Sequence, residues 1–93
     1  MRRAARTDAN HAEIVQILKQ AGCTVLDLSA VGKGCPDLAV GRRGVTYWIE
    51  VKDGSKPPSA RALTPDQTQW HDWWKGGSVR VVCTAAEAME AIK

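Results

Sequence analysis

Two acidic residues and a lysine are spaced so that they could share one catalytic centre. Twelve residues separate Asp37 from Glu50, and Lys52 follows Glu50 by two positions. Carboxylate oxygens are hard donors that suit Mg²⁺ or Mn²⁺ far better than Zn²⁺. A divalent cation held by two carboxylates can activate water and offset negative charge on a reacting group. The spacing therefore predicts metal-assisted hydrolysis, provided that the fold brings these three side chains together.

The residues around Glu50 and Lys52 predict a strand that places both side chains on one face of a sheet. Alternate side chains of a strand point to opposite faces. The apolar face of this strand consists of Val45, Tyr47, Ile49 and Val51. Trp48, Glu50 and Lys52 form the other face, where Glu50 and Lys52 lie about 7 Å apart at their Cα atoms.

A turn and a hairpin loop predict where Asp37 lies relative to this strand. Gly34–Asp37 is typical of a turn, Leu38–Val40 of a short apolar strand, and Arg42–Gly44 of a hairpin loop. Because the strands of a hairpin pair side by side, we expect Asp37 to lie across from Glu50. Taken singly, these residues have simpler explanations, since Asp is a common turn former and Glu-x-Lys a common exposed strand pattern.

Four motifs occur in order along the chain. They are a glutamate in the first predicted helix, Glu13; a Gly-x-Pro-Asp step, Gly34–Asp37; Glu-x-Lys, at Glu50 and Lys52; and a Leu-Ser/Thr-x-x-Gln helix start, Leu63–Gln67. Together they span about Asn10 to Ile92. In this order the sequence resembles the virus-type replication-repair nuclease (VRR-NUC) domain of the PD-(D/E)xK nuclease superfamily, and the joint occurrence outweighs the simpler explanations of each motif.

The resemblance implies roles for the shared residues. Asp37 and Glu50 are expected to bind Mg²⁺ or Mn²⁺, with the backbone carbonyl of Val51 as a further ligand. Lys52 is expected to orient the attacking water or to stabilise the pentavalent phosphate. Stand-alone members of this family are short viral proteins that act as homodimers on branched DNA. We therefore expect a phage-encoded, homodimeric endodeoxyribonuclease that cuts four-way (Holliday) junctions and leaves 5′-phosphate ends.

Two other functions stay open at this stage. One is a less selective DNA nuclease or nickase used in DNA processing or defence. The other is a nucleic-acid-binding module that keeps the fold without catalysis. All the matched acids and the lysine are present in the sequence, which argues against lost catalysis.

Capping and periodicity predict the order of the structural elements. Helices are predicted to begin at Asn10, Thr64 and Thr84, each followed three residues later by Glu or Gln as in a capping box. The first two helices are predicted to end at Gly22 and Gly76-Gly77, and a mobile loop is predicted at Asp53–Ala60. Strands are predicted at Thr24–Leu28, Leu38–Val40, Val45–Lys52 and Val79–Cys83. The result is an α/β fold of order αβββαβα with a central mixed sheet flanked by helices. The resemblance implies that this core is restriction-endonuclease-like.

The composition places limits on the class of protein. With 93 residues the chain is expected to form one domain, residues 1–93, so binding and chemistry must share one surface. The net charge of +3 fits a polyanionic partner, although charge alone favours ordinary solubility. Three widely spaced cysteines predict neither a disulfide framework nor a zinc site. Without a signal-like or membrane-spanning apolar stretch, we expect a soluble cytoplasmic protein, working in the host cytoplasm if it is phage-encoded.

Glu13 and Gln67 each have a local and a functional interpretation. Glu13 is placed to cap its own helix at Asn10, or to contact a metal-bound water or a second cation. Gln67 is placed to cap its helix at Thr64, or to contact substrate or water. We do not expect one side chain to fill both roles easily.

Several aromatic residues have no assigned chemistry. Trp70, Trp73 and Trp74 recur at helical spacing, which predicts packing in the core, with a subunit interface as the alternative. Trp48 is expected to form the floor of the active-site cleft or to stack on an unpaired base. His11 and His71 are expected on the helix surface without a role, because no partner stands at an obvious spacing.

Basic residues that fall mostly in predicted loops are candidate phosphate contacts, although each alone is more simply a solvated charge. We expect them near the catalytic edge, where they would recognise the shape of DNA rather than its sequence, since no base-reading helix is evident. They are Arg2, Arg3, Arg6, Lys33, Arg42, Arg43, Lys56 and Arg61.

Overall fold

The order of elements in the structure confirms the predicted α/β fold. The computed structural model describes residues 9–93 of the chain. The elements are α1 His11–Gln20, β1 Thr24–Asp27, β2 Leu38–Arg42, β3 Val45–Val51, α2 Pro58–Arg61, α3 Pro65–Trp73, β4 Val79–Val82 and α4 Ala85–Ala91. The short helix α2 occupies the end of the segment that was predicted to be a loop. Its first residue is a proline, whose fixed φ angle suits a helix start.

The four strands form one mixed sheet in the order β1-β2-β3-β4. The pairs β1–β2 and β2–β3 are antiparallel, and β3–β4 is parallel. The β2–β3 turn contains only Arg43 and Gly44, because Arg42 still pairs with Val45. Both turn residues have positive φ angles, 52° and 78°. A two-residue hairpin turn needs these angles to match the right-handed twist of the strands on either side.

One face of the sheet carries the hydrophobic core. Leu38, Val40, Ile49 and Val51 are buried on this face, at the alternate positions expected for two paired strands. Helices α1 and α4 cover them with Ile14, Leu18, Ala88 and Ile92. Burying each large aliphatic side chain contributes about 1.5–3 kcal/mol, so this layer fixes the register of the β2–β3 hairpin.

The opposite face of the sheet is covered in part by α3. Thr64 and Gln67 form a reciprocal capping box at its start, as predicted, and Pro65 occupies the first turn. No residue of α3 is fully buried. The preceding loop packs closely against this first turn, since Gly34, at φ 81°, leaves no room for a Cβ atom beside the Asp66 carbonyl.

The predicted capping box at Asn10 is wrong. The Asn10 side chain makes no capping hydrogen bond in α1. Its amide instead donates to the Lys52 carbonyl at 3.1 Å and to the Cys83 carbonyl. The capping box at Thr84 forms only in half, because the Glu87 carboxylate accepts from the Cys83 backbone N–H. The helix α1 is consequently anchored at the carboxyl end of β3, beside Lys52.

Within residues 9–93, no helix is both long enough and apolar enough to cross a membrane. The three cysteines Cys23, Cys35 and Cys83 are free thiols.

Candidate active site

The structure brings Asp37, Glu50 and Lys52 together at one end of the β2–β3 hairpin. Leu38 pairs with Ile49, so Asp37 lies opposite Glu50 on the same face of the sheet. One Asp37 carboxylate oxygen, Oδ2, accepts a hydrogen bond from the Val51 backbone N–H at 2.8 Å. The Lys52 Nζ atom lies 3.9 Å from Glu50 Oε2. Two carboxylates and one ammonium group therefore converge at this end of the sheet.

Gln67 joins the two charged residues of β3 to the start of α3. Its amide nitrogen donates to Glu50 Oε2 at 2.9 Å, and its carbonyl oxygen accepts from Lys52 Nζ at 2.8 Å. The same oxygen also accepts from the Thr64 backbone N–H at 2.9 Å. An amide oxygen has two lone pairs, so one side chain can cap the helix and also reach the site. Gln67 thus caps α3 and contacts Glu50 and Lys52 at once, and its contact with substrate or water stays a prediction.

Burial makes these contacts necessary. Glu50 is 2% exposed and Lys52 9% exposed. A buried charge is tolerated only when it is paired and hydrogen-bonded, and removing one partner of a buried ion pair typically costs about 3–5 kcal/mol. Gln67 supplies a donor to Glu50 and an acceptor to Lys52. This geometry fixes the lysine ammonium group in place next to the carboxylates.

The pKa of Cys35 reports the negative potential of the site. Burial raises the pKa of this thiol, and the charges of Glu50 and Asp37 raise it further. Both carboxylates therefore act on the same neighbouring atom. A cation bound between them would relieve this concentration of negative charge.

The donors present fit a hard divalent cation. Among the described residues no group of three or more His, Cys, Asp or Glu side chains could hold a metal ion. If a cation is held here, Asp37 and Glu50 would be its side-chain ligands, and backbone carbonyls or water would have to complete the shell. Magnesium usually binds in this manner, keeping several waters and using one or two carboxylates. The Val51 carbonyl stays a predicted ligand.

Glu13 lies in the first turn of α1, close in sequence to the residue that contacts the Lys52 carbonyl. Its side chain is exposed. Among residues 9–93 it forms no hydrogen bond or ion pair, so the predicted capping contact is absent. A contact with a metal-bound water stays a prediction.

His71 is a neighbour of the site that the sequence analysis left without a role. Burial lowers the pKa of His71, the charge of Asp72 opposes this change, and the positive charge of Lys52 adds to it. His71 stands four residues after Gln67, on the same side of α3. The four-residue spacing from Gln67 is the feature of the sequence that could have placed His71 near the site. It identifies His71 only in combination with the contact between Gln67 and Lys52.

His11 was expected on the surface without a partner, and this was wrong. It is 5% exposed, and its Nε2 atom lies 3.0 Å from Asp27 Oδ2. Burial alone would raise the pKa of Asp27, but hydrogen bonds from Ser29 and His11, and the charge of His11, lower it overall. The partner is sixteen residues away on β1, so no local spacing could reveal it.

The predicted basic residues do not all lie at the catalytic edge. Arg42 and Arg43 stand at the far end of the hairpin, and five residues of strand put Arg42 about 16 Å from Asp37. Arg42 instead donates to the Ile92 carbonyl at 3.2 Å. Their expected position was therefore wrong. The remaining residues fall into three groups: Lys33 in the loop before Asp37, Lys56 and Arg61 after β3, and Arg2, Arg3 and Arg6 outside the described residues.

The tryptophans of α3 are not part of the core, contrary to expectation. Trp70 and Trp74 are half-buried and Trp73 is exposed. They gather instead around Trp48, whose ring centroid lies 5.8 Å from that of Trp70 and 5.1 Å from that of Trp74. We call Trp48, Trp70, Trp73 and Trp74 the tryptophan cluster. Because Trp48 shares a strand face with Glu50, the cluster adjoins the site.

Comparisons with known proteins agree with this geometry. No family model matches the sequence, and a search of curated proteins finds no match. A solved structure titled "VRR_NUC domain" is similar to this chain, with a TM-score of 0.62 and 30% sequence identity. The similarity covers 87% of this chain and 91% of the solved one. It therefore includes nearly the whole sheet and its helices.

Replacement of Gln67 by Ala should destabilise the protein more than replacement of Thr64 by Ala. The Thr64→Ala change removes only the cap, which costs about 1 kcal/mol. The Gln67→Ala change also removes the buried hydrogen bonds that Gln67 makes with Glu50 and Lys52, so we expect a loss of at least about 2 kcal/mol. Urea denaturation of both variants measures the difference. Equal losses would show that the contacts to Glu50 and Lys52 add no stability.

Proposed function

Because this chain belongs to the VRR-NUC family of nuclease domains, we propose that it is a divalent-metal-dependent DNA endonuclease that cuts branched DNA such as four-way junctions. The observation that carries this proposal is the convergence of Asp37, Glu50 and Lys52 at one end of the β2–β3 hairpin. Their donor set suits Mg²⁺ or Mn²⁺. Gln67 and Glu13 are the further residues that we assign to the catalytic centre.

The residues of the chain divide the work of phosphodiester hydrolysis. Asp37 and Glu50 would hold the cation, with the Val51 carbonyl as a third ligand. When bound, the cation would supply Lewis acidity, which favours the attack of water and offsets charge on the phosphate. Lys52, whose Nζ atom donates to Gln67 at 2.8 Å, would orient the attacking water or donate to a phosphate oxygen. Burial around Glu50 and Lys52 strengthens each of these electrostatic interactions.

Binding of DNA is proposed to rely on basic residues close to this site. Lys33 is exposed, and its loop leads into Asp37. Lys56 lies in the segment after β3, which ends next to Lys52, and Arg61 is the last residue of α2. Such contacts to phosphate fix the position of DNA without reading its sequence. We retain Arg42 and Arg43 as proposed contacts for more distant DNA arms, and Arg2, Arg3 and Arg6, outside the described residues, as proposed phosphate contacts.

A second copy of the chain is proposed to complete the enzyme. Two sites related by a two-fold axis suit paired cuts in a two-fold-symmetric junction. Leu26, on the edge strand β1, and Val31, in the loop that follows, are large exposed apolar side chains. We propose that these two side chains take part in the dimer contact. Sedimentation velocity should show a dimer, and a single species of 10.1 kDa would contradict this part of the proposal.

Cleavage of different DNA forms should show a preference for branched substrates. Labelled four-way junction, flap and linear duplex are each incubated with Mg²⁺, with Mn²⁺ or with EDTA. We expect metal-dependent cutting of the junction and little cutting of the duplex. Equal cutting of all three would instead indicate a less selective nuclease or nickase. A gel shift without any cutting would indicate a non-catalytic binding module.

Removal of either carboxylate should abolish cleavage without unfolding the protein. Asp37→Asn keeps an acceptor for the Val51 N–H, and Glu50→Gln keeps the shape of the side chain. We expect each change to lower the cleavage rate by at least about 100-fold, because several kcal/mol of metal-dependent stabilisation are lost. The weaker metal binding should also be visible as a loss of Mn²⁺ affinity in calorimetry.

The matched control for these variants is Glu90→Gln. Glu90 is an exposed carboxylate of α4 whose ion pair with Lys93 is also exposed. This change should leave both the cleavage rate and the Mn²⁺ affinity unaltered. Full activity of Asp37→Asn with normal metal binding would remove Asp37 from the mechanism.

A further inference from the structure

The tryptophan cluster forms one continuous aromatic surface. Trp70 and Trp74 are stacked, with ring centroids 5.1 Å apart and planes inclined by 14°. Trp48 meets Trp74 nearly edge-on at 73°, and Trp73 meets Trp70 at 67° and 6.0 Å. Stacked and edge-to-face pairs at these separations are the favoured aromatic geometries. Each indole is therefore held in place by its neighbours.

Trp73 is the exposed member of the cluster. It is 64% exposed. With Trp70 it lines a cleft of about 230 Å³, whose other walls are Lys33, Asp66 and Gln69. The cleft therefore combines two aromatic faces with an ammonium group and an amide. An aromatic ring can stack on a flat ligand, and the ammonium group can contact an attached anion.

The cleft is next to the candidate active site along α3, because its wall residue Asp66 directly precedes Gln67. Trp70 follows Gln67 by three residues, which corresponds to about 4.5 Å along the axis of α3. Successive nucleotides of one DNA strand are spaced by about 3.4 Å along the duplex. A nucleotide adjacent to a phosphate bound at Glu50 and Lys52 could therefore reach the cleft.

We propose that Trp73 and Trp70 form a stacking platform for an unpaired DNA base next to the phosphate that is cut. This inference rests on the proposed nuclease function and specifies its substrate: DNA with single-stranded nucleotides at the cleavage point. Lys33 would contact the phosphate of the stacked nucleotide. Stacking does not depend on the identity of the base, so the platform would select the unpaired state rather than a sequence.

The charges around the cleft favour nucleic acid over a second protein chain as the occupant. The centres of protein interfaces are depleted of Lys and Asp, whereas Lys33 and Asp66 are part of this cleft and Lys75 borders Trp73 and Trp74 on the other side. The backbone of the Lys33 loop packs against the first turn of α3 at Gly34, so Lys33 and Trp73 line the same cleft. An aromatic ring beside an ammonium group complements a nucleotide.

Binding of DNA overhangs to Trp73 variants tests the platform. Affinity is measured by fluorescence anisotropy in EDTA, so that cleavage does not interfere. The probes are a blunt duplex, the same duplex with a short thymidine overhang, and the same overhang with abasic sites in place of the bases. Trp73→Ala should weaken binding of the thymidine overhang by between about 5-fold and 150-fold. The affinity of Trp73→Ala for the blunt duplex should differ from that of the native protein by less than about 5-fold.

The abasic probe separates base stacking from other contacts. The native protein should bind the abasic overhang more weakly than the thymidine overhang, whereas Trp73→Ala should bind both equally. Removal of the bases and removal of the Trp73 ring delete the same stacking interaction. Trp73→Phe, which keeps an aromatic ring, should recover part of the loss. Val45→Ala removes another exposed apolar side chain, at the far end of the hairpin, and should bind all probes normally.

Two results would overturn the platform. One is an equal loss of affinity for blunt and overhanging DNA in Trp73→Ala. The other is a change in sedimentation of Trp73→Ala with no base-dependent loss, which would assign the surface to contact between copies of the chain. A protein that shows base-dependent binding but cuts no DNA in Mg²⁺ or Mn²⁺ would contradict the nuclease function and leave the platform intact.

Discussion

The buried hydrogen bonds between Gln67 and the pair Glu50 and Lys52 constrain the rest of the site. A carboxylate and an ammonium group on one strand face are stable under a helix only when their hydrogen-bonding groups have partners. Gln67 provides these partners only if α3 begins directly over the end of β3. The Thr64 cap sets that starting point, since it fixes Gln67 in the first turn. Local helix chemistry and site geometry are therefore satisfied by the same amide.

Asp37 is positioned by a different mechanism, through the backbone. Its place opposite Glu50 follows from the register of the β2–β3 hairpin, which the buried Leu38 and Ile49 pair maintains. The Val51 N–H then orients its carboxylate. One metal-binding acid thus depends on the apolar core on the far side of the sheet, and the other depends on α3. A shift of register by one residue would separate them, because Asp37 would turn to the opposite face.

The sequence predicted those features that depend on local chemistry or on a strict period. Alternation placed Glu50 and Lys52 on one face, and the Thr64 cap located α3. Partners distant in sequence were not predictable, as Asn10 with Cys83 and His11 with Asp27 illustrate. The misplaced hairpin arginine Arg42 is a different case. A strand of five residues has its ends far apart, so the predicted topology already excluded Arg42 from the end that carries Asp37.

The tryptophan stripe was misassigned because helical spacing defines a direction and not what lies in that direction. At about 100° per residue, Trp74 lies about 40° to one side of Trp70, and Trp73 about 60° to the other side. Trp70 and Trp74 both contact Trp48 and so hold α3 against the sheet. Trp73 points away from Trp48 and is left exposed. Since Trp70 and Trp74 account for the anchoring of the helix, packing of α3 leaves the exposed indole of Trp73 unexplained, and its place beside Lys33 in one cleft is the basis of the proposed stacking platform.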